Sequence, residues 1–286
     1  MGRDLITNLK FKKTMGEFDP IEFGRMMNEA YTANRNLDRY AKKHTFSPST
    51  VGYGYGMCPR YWFIAFNGCE FEDNFDAIAI ANMENGKQAH ERIQTLLESA
   101  GLAKELEREI LCDDPPIRGF ADMIVDWYGT EIIGELKTVR DEVFAARQTS
   151  MAPTTSHLIQ LLLYMWVEKL DEGFLMYENK NSNEILIMPI NMNSRHRALI
   201  EKTIEWMRVV YKNYQAGHLP ERPFTKSTST CKYCPVRKEC FSVGISGKEW
   251  GVWGGVYLEN GEISKEFSSH KTKTDWGITW QSLTME

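Results

Sequence analysis

Four cysteines make the strongest demand on any fold this chain adopts. Cys231, Cys234 and Cys240 form a Cys-x2-Cys-x5-Cys group, one sulfur short of a closed four-ligand site. Cys58 can supply the fourth sulfur, and two segments far apart in the chain must then meet. Cys58 and Cys234 are each followed by proline, as cysteines ligating iron-sulfur clusters often are. Tetrahedral zinc held by cysteines alone usually draws on two Cys-x2-Cys pairs, and only one is present. The pattern favours a [4Fe-4S] cluster, with zinc as the alternative. Cys69 and Cys112 are left over and read as small buried apolar side chains.

A second constellation lies midway, in Gly119 to Thr138, GFADMIVDWYGTEIIGELKT. Met123, Ile124 and Val125 belong to a β-rich run, Tyr128-Gly129-Thr130 has turn character, and Glu131 to Lys137 alternates polar with apolar, which predicts a hairpin. Because strand side chains alternate faces, Glu135 and Lys137 project on one side and Leu136 on the other. Asp122 on the partner strand comes alongside them. Two carboxylates and an ammonium in one place suit metal-assisted hydrolysis: hard oxygens hold Mg²⁺ or Mn²⁺, and phosphodiesters are the natural substrate. The same three residues also read as a surface ion pair on an ordinary hairpin.

Around this hairpin the chain reads as mixed α/β. Residues 18 to 43, with Phe23, Met26 or Met27, Ala30, Tyr31, Leu37 and Tyr40 at helical spacing, predict a helix lying over the core. Pro59 opens another helix directly after Cys58. Ala77 to Ala100 is a stronger one, with Met83, Ala89, Ile93, Leu96 and Leu97 as its stripe and Gly101 as its stop. On it Gly86 precedes His90 by one turn, so another backbone can approach beside the imidazole. His90 is a candidate metal ligand or a core histidine bonded to a carbonyl.

Leu106 to Cys112 reads as a strand. Ser156 to Leu170 is apolar nearly all round and therefore a buried helix, carrying Gln160 and Tyr164 at i and i+4; most such pairs satisfy buried hydrogen bonds. Strands follow at Phe174 to Tyr177 and Glu184 to Ile190, then a long amphipathic helix at Ser194 to Ala216. The boundaries implied are an N-terminal helical extension (1–45), a core closed by the four cysteines (46–240) and a glycine- and tryptophan-rich appendage (241–286) with an Asn260-Gly261 hairpin signal.

A net charge of −5 argues against a protein that coats nucleic acid by charge alone. From Lys202 to Cys240, however, eight Lys or Arg face three acids. That tract is either a solvated face or a place for phosphates to dock, with Tyr211, Tyr214 and Tyr233 offering faces for base stacking. No apolar run is long enough to span a bilayer and no secretory leader is visible, so a soluble cytoplasmic protein is expected. No GxxxxGK[ST] phosphate loop occurs, which excludes a motor activity within this chain.

In order, the lone Cys58, the Gly-x3-His helix, the Asp and Glu-x-Lys hairpin, the Gln-x3-Tyr helix and the terminal cysteine trio resemble the RecB-like branch of the PD-(D/E)XK nucleases that carries an iron-sulfur cluster. CRISPR-associated adaptation nucleases and the nuclease domains of helicase-nuclease repair complexes belong to that branch. The resemblance spans Cys58 to Cys240. It implies a restriction-endonuclease-like α/β core, a central mixed sheet flanked by helices with a cluster subdomain beside it. It implies His90, Asp122, Glu135 and the Leu136 carbonyl as ligands of the divalent metal, Lys137 as the residue that positions or activates the attacking water, and Gln160 and Tyr164 as supports of the site and the nucleic-acid backbone. Cys58, Cys231, Cys234 and Cys240 would hold the [4Fe-4S] cluster. DNA single strands or ends are the implied substrate, and a helicase, recombination or CRISPR-adaptation protein the kind of partner. The motif's proline is absent, Ala121 preceding Asp122. A non-catalytic nucleic-acid-binding subunit that kept the fold is the competing reading.

Overall fold

The computed structural model describes residues 18–33 and 40–242. The Asn260-Gly261 hairpin and nearly all of the expected C-terminal appendage lie outside them. The chain runs α1 (Pro20–Ala33), β1 (Tyr40–Ala41), α2 (Pro48–Val51), a 3-10 turn (Gly54–Met57), α3 (Pro59–Asn67), β2 (Cys69–Glu70) and α4 (Ala77–Ser99). The sheet strands β3 (Ala103–Asp113), β4 (Pro116–Trp127) and β5 (Thr130–Val139) follow, then α5 (Asp141–Ser150), α6 (Thr155–Glu168), β6 (Glu172–Asn179) and β7 (Ile185–Asn191). The chain continues as α7 (Ser194–Gln215), α8 (Ser229–Lys232) and α9 (Arg237–Ser242).

The five-stranded sheet has the order β3-β4-β5-β6-β7. Neighbours are antiparallel except β5 and β6, which run parallel and therefore need a crossover, supplied by α5 and α6. This is a mixed sheet of the kind the family resemblance implies, in the α/β arrangement read from the sequence. On one face Met123, Leu136 and Met176 pack with Ile93 of α4. Ile124, Ile133 and Leu175 belong to the larger core, with the unbroken buried run Leu158 to Met165 of α6. Asp76 caps α4 by accepting from the Ala79 amide, and Asn193 caps α7 by accepting from the His196 amide.

Two expectations need correction. α1 ends at Ala33 and does not lie over the core. Phe23, Met26 and Met27 are exposed and Gly24 is its buried residue, because the stripe that looked core-facing points outward. Tyr211 and Tyr214 are no free stacking platforms either. Tyr211 packs edge-on to Phe66 at 5.5 Å, and Tyr214 lies 5.1 Å from the same ring, so α7 commits both to α3. Tyr233 is exposed. Cys69 and Cys112 are partly buried against the core. The helix α5, Asp141–Ser150, went unread in the sequence.

Candidate metal centre and cysteine pocket

β4 and β5 pair from Trp127↔Thr130 to Met123↔Gly134, which leaves Asp122 facing Glu135 one step beyond the last pair. There the Asp122 side chain takes over from the backbone: its Oδ2 accepts from the Leu136 amide at 2.7 Å. Its Oδ1 turns the other way and lies 3.3 Å from His90 Nδ1 on α4. Asp122 is 7% exposed and Glu135 1%, so both carboxylates are withdrawn from bulk water.

Glu135 is the centre of a short polar chain. Its Oε1 accepts from Lys137 Nζ at 2.5 Å and from Gln160 Nε2 at 2.6 Å, and Gln160 Nε2 also reaches the Tyr164 hydroxyl at 3.0 Å. α6 therefore forms the rear wall of the site, and its two polar residues are the ones the sequence singled out. Glu135 Oε2, by contrast, is buried with no hydrogen-bond partner. A buried acceptor left bare is costly, so this atom fits a cation.

Burial pushes the Glu135 carboxyl up to about 7; Lys137 opposes the shift and Asp122 adds to it. Burial alone would lower the His90 imidazole, but Asp122 beside it outweighs that and holds it above its ordinary value. Gly86 does not play the part expected of it. A Cβ there would meet the Thr138 hydroxyl at an ordinary 3.7 Å, and no backbone of another element approaches within 4 Å.

Cys58, Cys231, Cys234 and Cys240 line one pocket with Tyr55, Tyr61, Arg222 and Arg237. Cys58 is the residue before α3, Cys231 sits in α8 and Cys240 in α9, so the two ends of the core do meet. All six cysteines are free thiols. Burial pushes Cys58 up to about 12, opposed by backbone amides of Tyr61 and Arg60 aimed at its sulfur. Burial raises Cys234 as well, against a Val236 amide, and Cys231 against the Thr228 hydroxyl. Four cysteine sulfurs lining one pocket are the kind of donor set a metal or cluster takes.

Residues 212–262 match the family described as "Transcription factor WhiB", a stretch that includes Cys231, Cys234 and Cys240. A stretch of 39 residues is 38% identical to the transcriptional regulator WhiB7 of Mycolicibacterium smegmatis; it covers 13% of this chain and 38% of that one. The chain thus spans well under half the length of this curated relative. An alkaline exonuclease from Laribacter hongkongensis is similar in structure at 12% identity and a TM-score of 0.45, over 60% of this chain and 89% of the other. A phage-related exonuclease from Haemophilus somnus is similar at 14% identity and a TM-score of 0.38, over 57% and 82%. Likenesses this low leave the assignment to the residues of the site itself.

One residue of the site escaped the sequence reading. Glu107 of β3 lies across from Asp122, and its carboxylate oxygen joins ligand atoms of His90 and Asp122 in a group lying within 4.8 Å of one another. Its φ is +51°, and the register of β3 on β4 shifts just before it, between Ala103 and Glu105. The bulge removes the alternation from which its facing could have been read. No signal in the local sequence marks it.

Proposed function

We propose that the protein is a divalent-metal-dependent DNA nuclease. The observation that carries this reading is the Asp122–Glu135–Lys137 constellation, with the bare, buried Oε2 of Glu135 at its centre. His90, Asp122, Glu135 and the Leu136 carbonyl would hold Mg²⁺ or Mn²⁺. When bound, such an ion supplies Lewis acidity and neutralises developing charge on a phosphoryl group. The protein's own residues do the rest. The Lys137 ammonium, part-exposed and tied to Glu135, would orient an attacking water and meet a phosphate oxygen. Gln160, backed by Tyr164, fixes the Glu135 carboxylate so that its other oxygen stays aimed.

The four cysteines would hold a [4Fe-4S] cluster that ties the start of the core to its end. The single Cys-x2-Cys pair and the prolines after Cys58 and Cys234 favour the cluster over zinc, and the four sulfurs lining one pocket support a shared ligand set. Lys226, Lys232, Lys238 and Tyr233 are exposed around that pocket, a surface on which single strands or DNA ends would dock.

The test is cleavage by anaerobically purified protein of end-labelled single- and double-stranded DNA with Mg²⁺, with Mn²⁺ and with chelator, alongside iron and acid-labile sulfide analysis. Metal-dependent cutting and about four irons per chain are expected. Binding without cutting would leave the competing reading, a non-catalytic DNA-binding subunit; stoichiometric zinc without sulfide would remove the cluster.

A further inference from the structure

We propose that His157 contacts the substrate: its Nε2–H, beside the Lys137 ammonium, donates to a non-bridging oxygen of a DNA backbone phosphate. This rests on the nuclease reading of the site and adds a recognition group that the Asp and Glu-x-Lys hairpin does not contain.

The pairing of β5 with β6 places the residue. Glu135 lies beside Leu175 and Lys137 beside Tyr177, so Lys137 and Tyr177 share the sheet face on which Glu135 stands. α6 lies across that face. Its Gln160 meets Glu135, and one turn earlier its His157 meets the Tyr177 hydroxyl, with Nδ1 3.1 Å from the oxygen. The half-buried ring therefore stands next to Lys137 as Gln160 stands next to Glu135. Arg147 of α5, which donates to the Ala152 carbonyl at 3.0 Å, is the second cation whose charge reaches the ring.

Tyr177 fixes which nitrogen carries the hydrogen. Burial raises its hydroxyl above the ordinary value, against hydrogen bonds from the Thr154 amide, at 3.0 Å, and the Thr154 hydroxyl, so it stays protonated. With two donors already pointed at its oxygen, its own hydrogen goes to His157 Nδ1, and the ring keeps its hydrogen on Nε2, on the edge that diverges from Tyr177. Burial, then Lys137 and Arg147, hold the imidazole neutral. A neutral donor flanked by two cations suits a phosphate oxygen, and it adds no charge to compete with Lys137 for the Glu135 carboxylate.

The experiment is single-turnover cleavage, by the full chain with Mn²⁺, of end-labelled DNA carrying one methylphosphonate, in which a methyl group replaces a non-bridging oxygen, stepped through successive positions. His157→Phe, which keeps a flat ring against Tyr177 and has no donor, should cut unmodified DNA about 10- to 100-fold more slowly than wild type. It should also lose most of the methylphosphonate penalty that wild type shows at one position, and at that position alone. His157→Gln, with an amide hydrogen near the place of Nε2, should recover most of the rate and of the penalty. A penalty pattern in His157→Phe equal to that of wild type, at whatever overall rate, would make His157 a packing residue and overturn the contact. Equal slowing of His157→Phe and His157→Gln would overturn it too. If His157→Phe does not fold by circular dichroism, Tyr177→Phe takes its place: it keeps the imidazole and frees the hydrogen to shift to Nδ1, so it should weaken the same penalty, and an unchanged pattern overturns the contact. Wild type that does not cut with Mn²⁺ would remove the nuclease reading and the contact with it, whereas cutting with an unchanged pattern removes the contact alone.

Discussion

His157 shows what burial does to one residue. It lies against the Tyr177 hydroxyl at 3.1 Å, and desolvation pushes its imidazole down to about 3, helped by Lys137 and Arg147 nearby. The unfolded chain protonates this histidine near its ordinary value of 6.5, while the folded chain stays neutral. The unfolded state therefore binds more protons between pH 6.5 and about 3, and stability is complete above that window and falls as pH drops through it. His196, also lowered by burial, acts in the same direction. Urea midpoints of wild type and His157→Gln from pH 7 to 5 should converge on acidification, the variant losing a slope of up to about 1.4 kcal/mol per pH unit. Parallel curves would show that His157 titrates normally in the fold.

The facing of Asp122, Glu135, Lys137, Gln160 and Tyr164 was legible for one physical reason, while the site role of Gln160 and Tyr164 came from the family resemblance. Each sits in a regular strand or helix, where position in the chain fixes facing. Glu107 was not, because a left-handed φ beside a register shift breaks that rule.

Among elements, β5 is the most exacting. Gly134 lies between Met123 of β4 and Phe174 of β6, and a Cβ there would stand 2.3 Å from the Phe174 ring and 2.7 Å from Met123 Cγ. The strand passes this close because neighbours on both sides fill the space a side chain would take. Gly134→Ala should cost about 1–3 kcal/mol, read as a lowered denaturant midpoint, and should displace Glu135 next to it. A midpoint equal to wild type would mean that Phe174 swings aside freely. The hairpin was readable because its alternation and its Tyr128-Gly129 turn agree, both turn residues having positive φ. The helix α1 was misread because periodicity reports an apolar stripe and not what covers it. The short α5, with Phe144 as its one buried residue, carries too little stripe to be seen.

At the scale of the whole molecule, the cysteine pocket joins α3 to the α8–α9 end of the core. That juncture followed from counting sulfurs; the aromatic contacts that accompany it, Phe46 on Trp62 at 4.7 Å and α7 on α3, did not. A cluster closing so long a loop removes much entropy from the unfolded chain. Cys58→Ser and Cys231→Ser should then lower the thermal midpoint equally and lose iron together, while Cys69→Ser and Cys112→Ser keep their iron. Iron loss in Cys69→Ser with retention in Cys58→Ser would displace the ligand set.

The central claim is that Asp122, Glu135 and Lys137 act as one hydrolytic centre, and single-turnover cleavage of end-labelled DNA with Mn²⁺ tests it most directly. Asp122→Asn, Glu135→Gln and Lys137→Ala, each shown by circular dichroism and iron content to be folded, should each cut roughly 10²-fold or more slowly than wild type. Cutting at the wild-type rate by any one of the three would contradict the account.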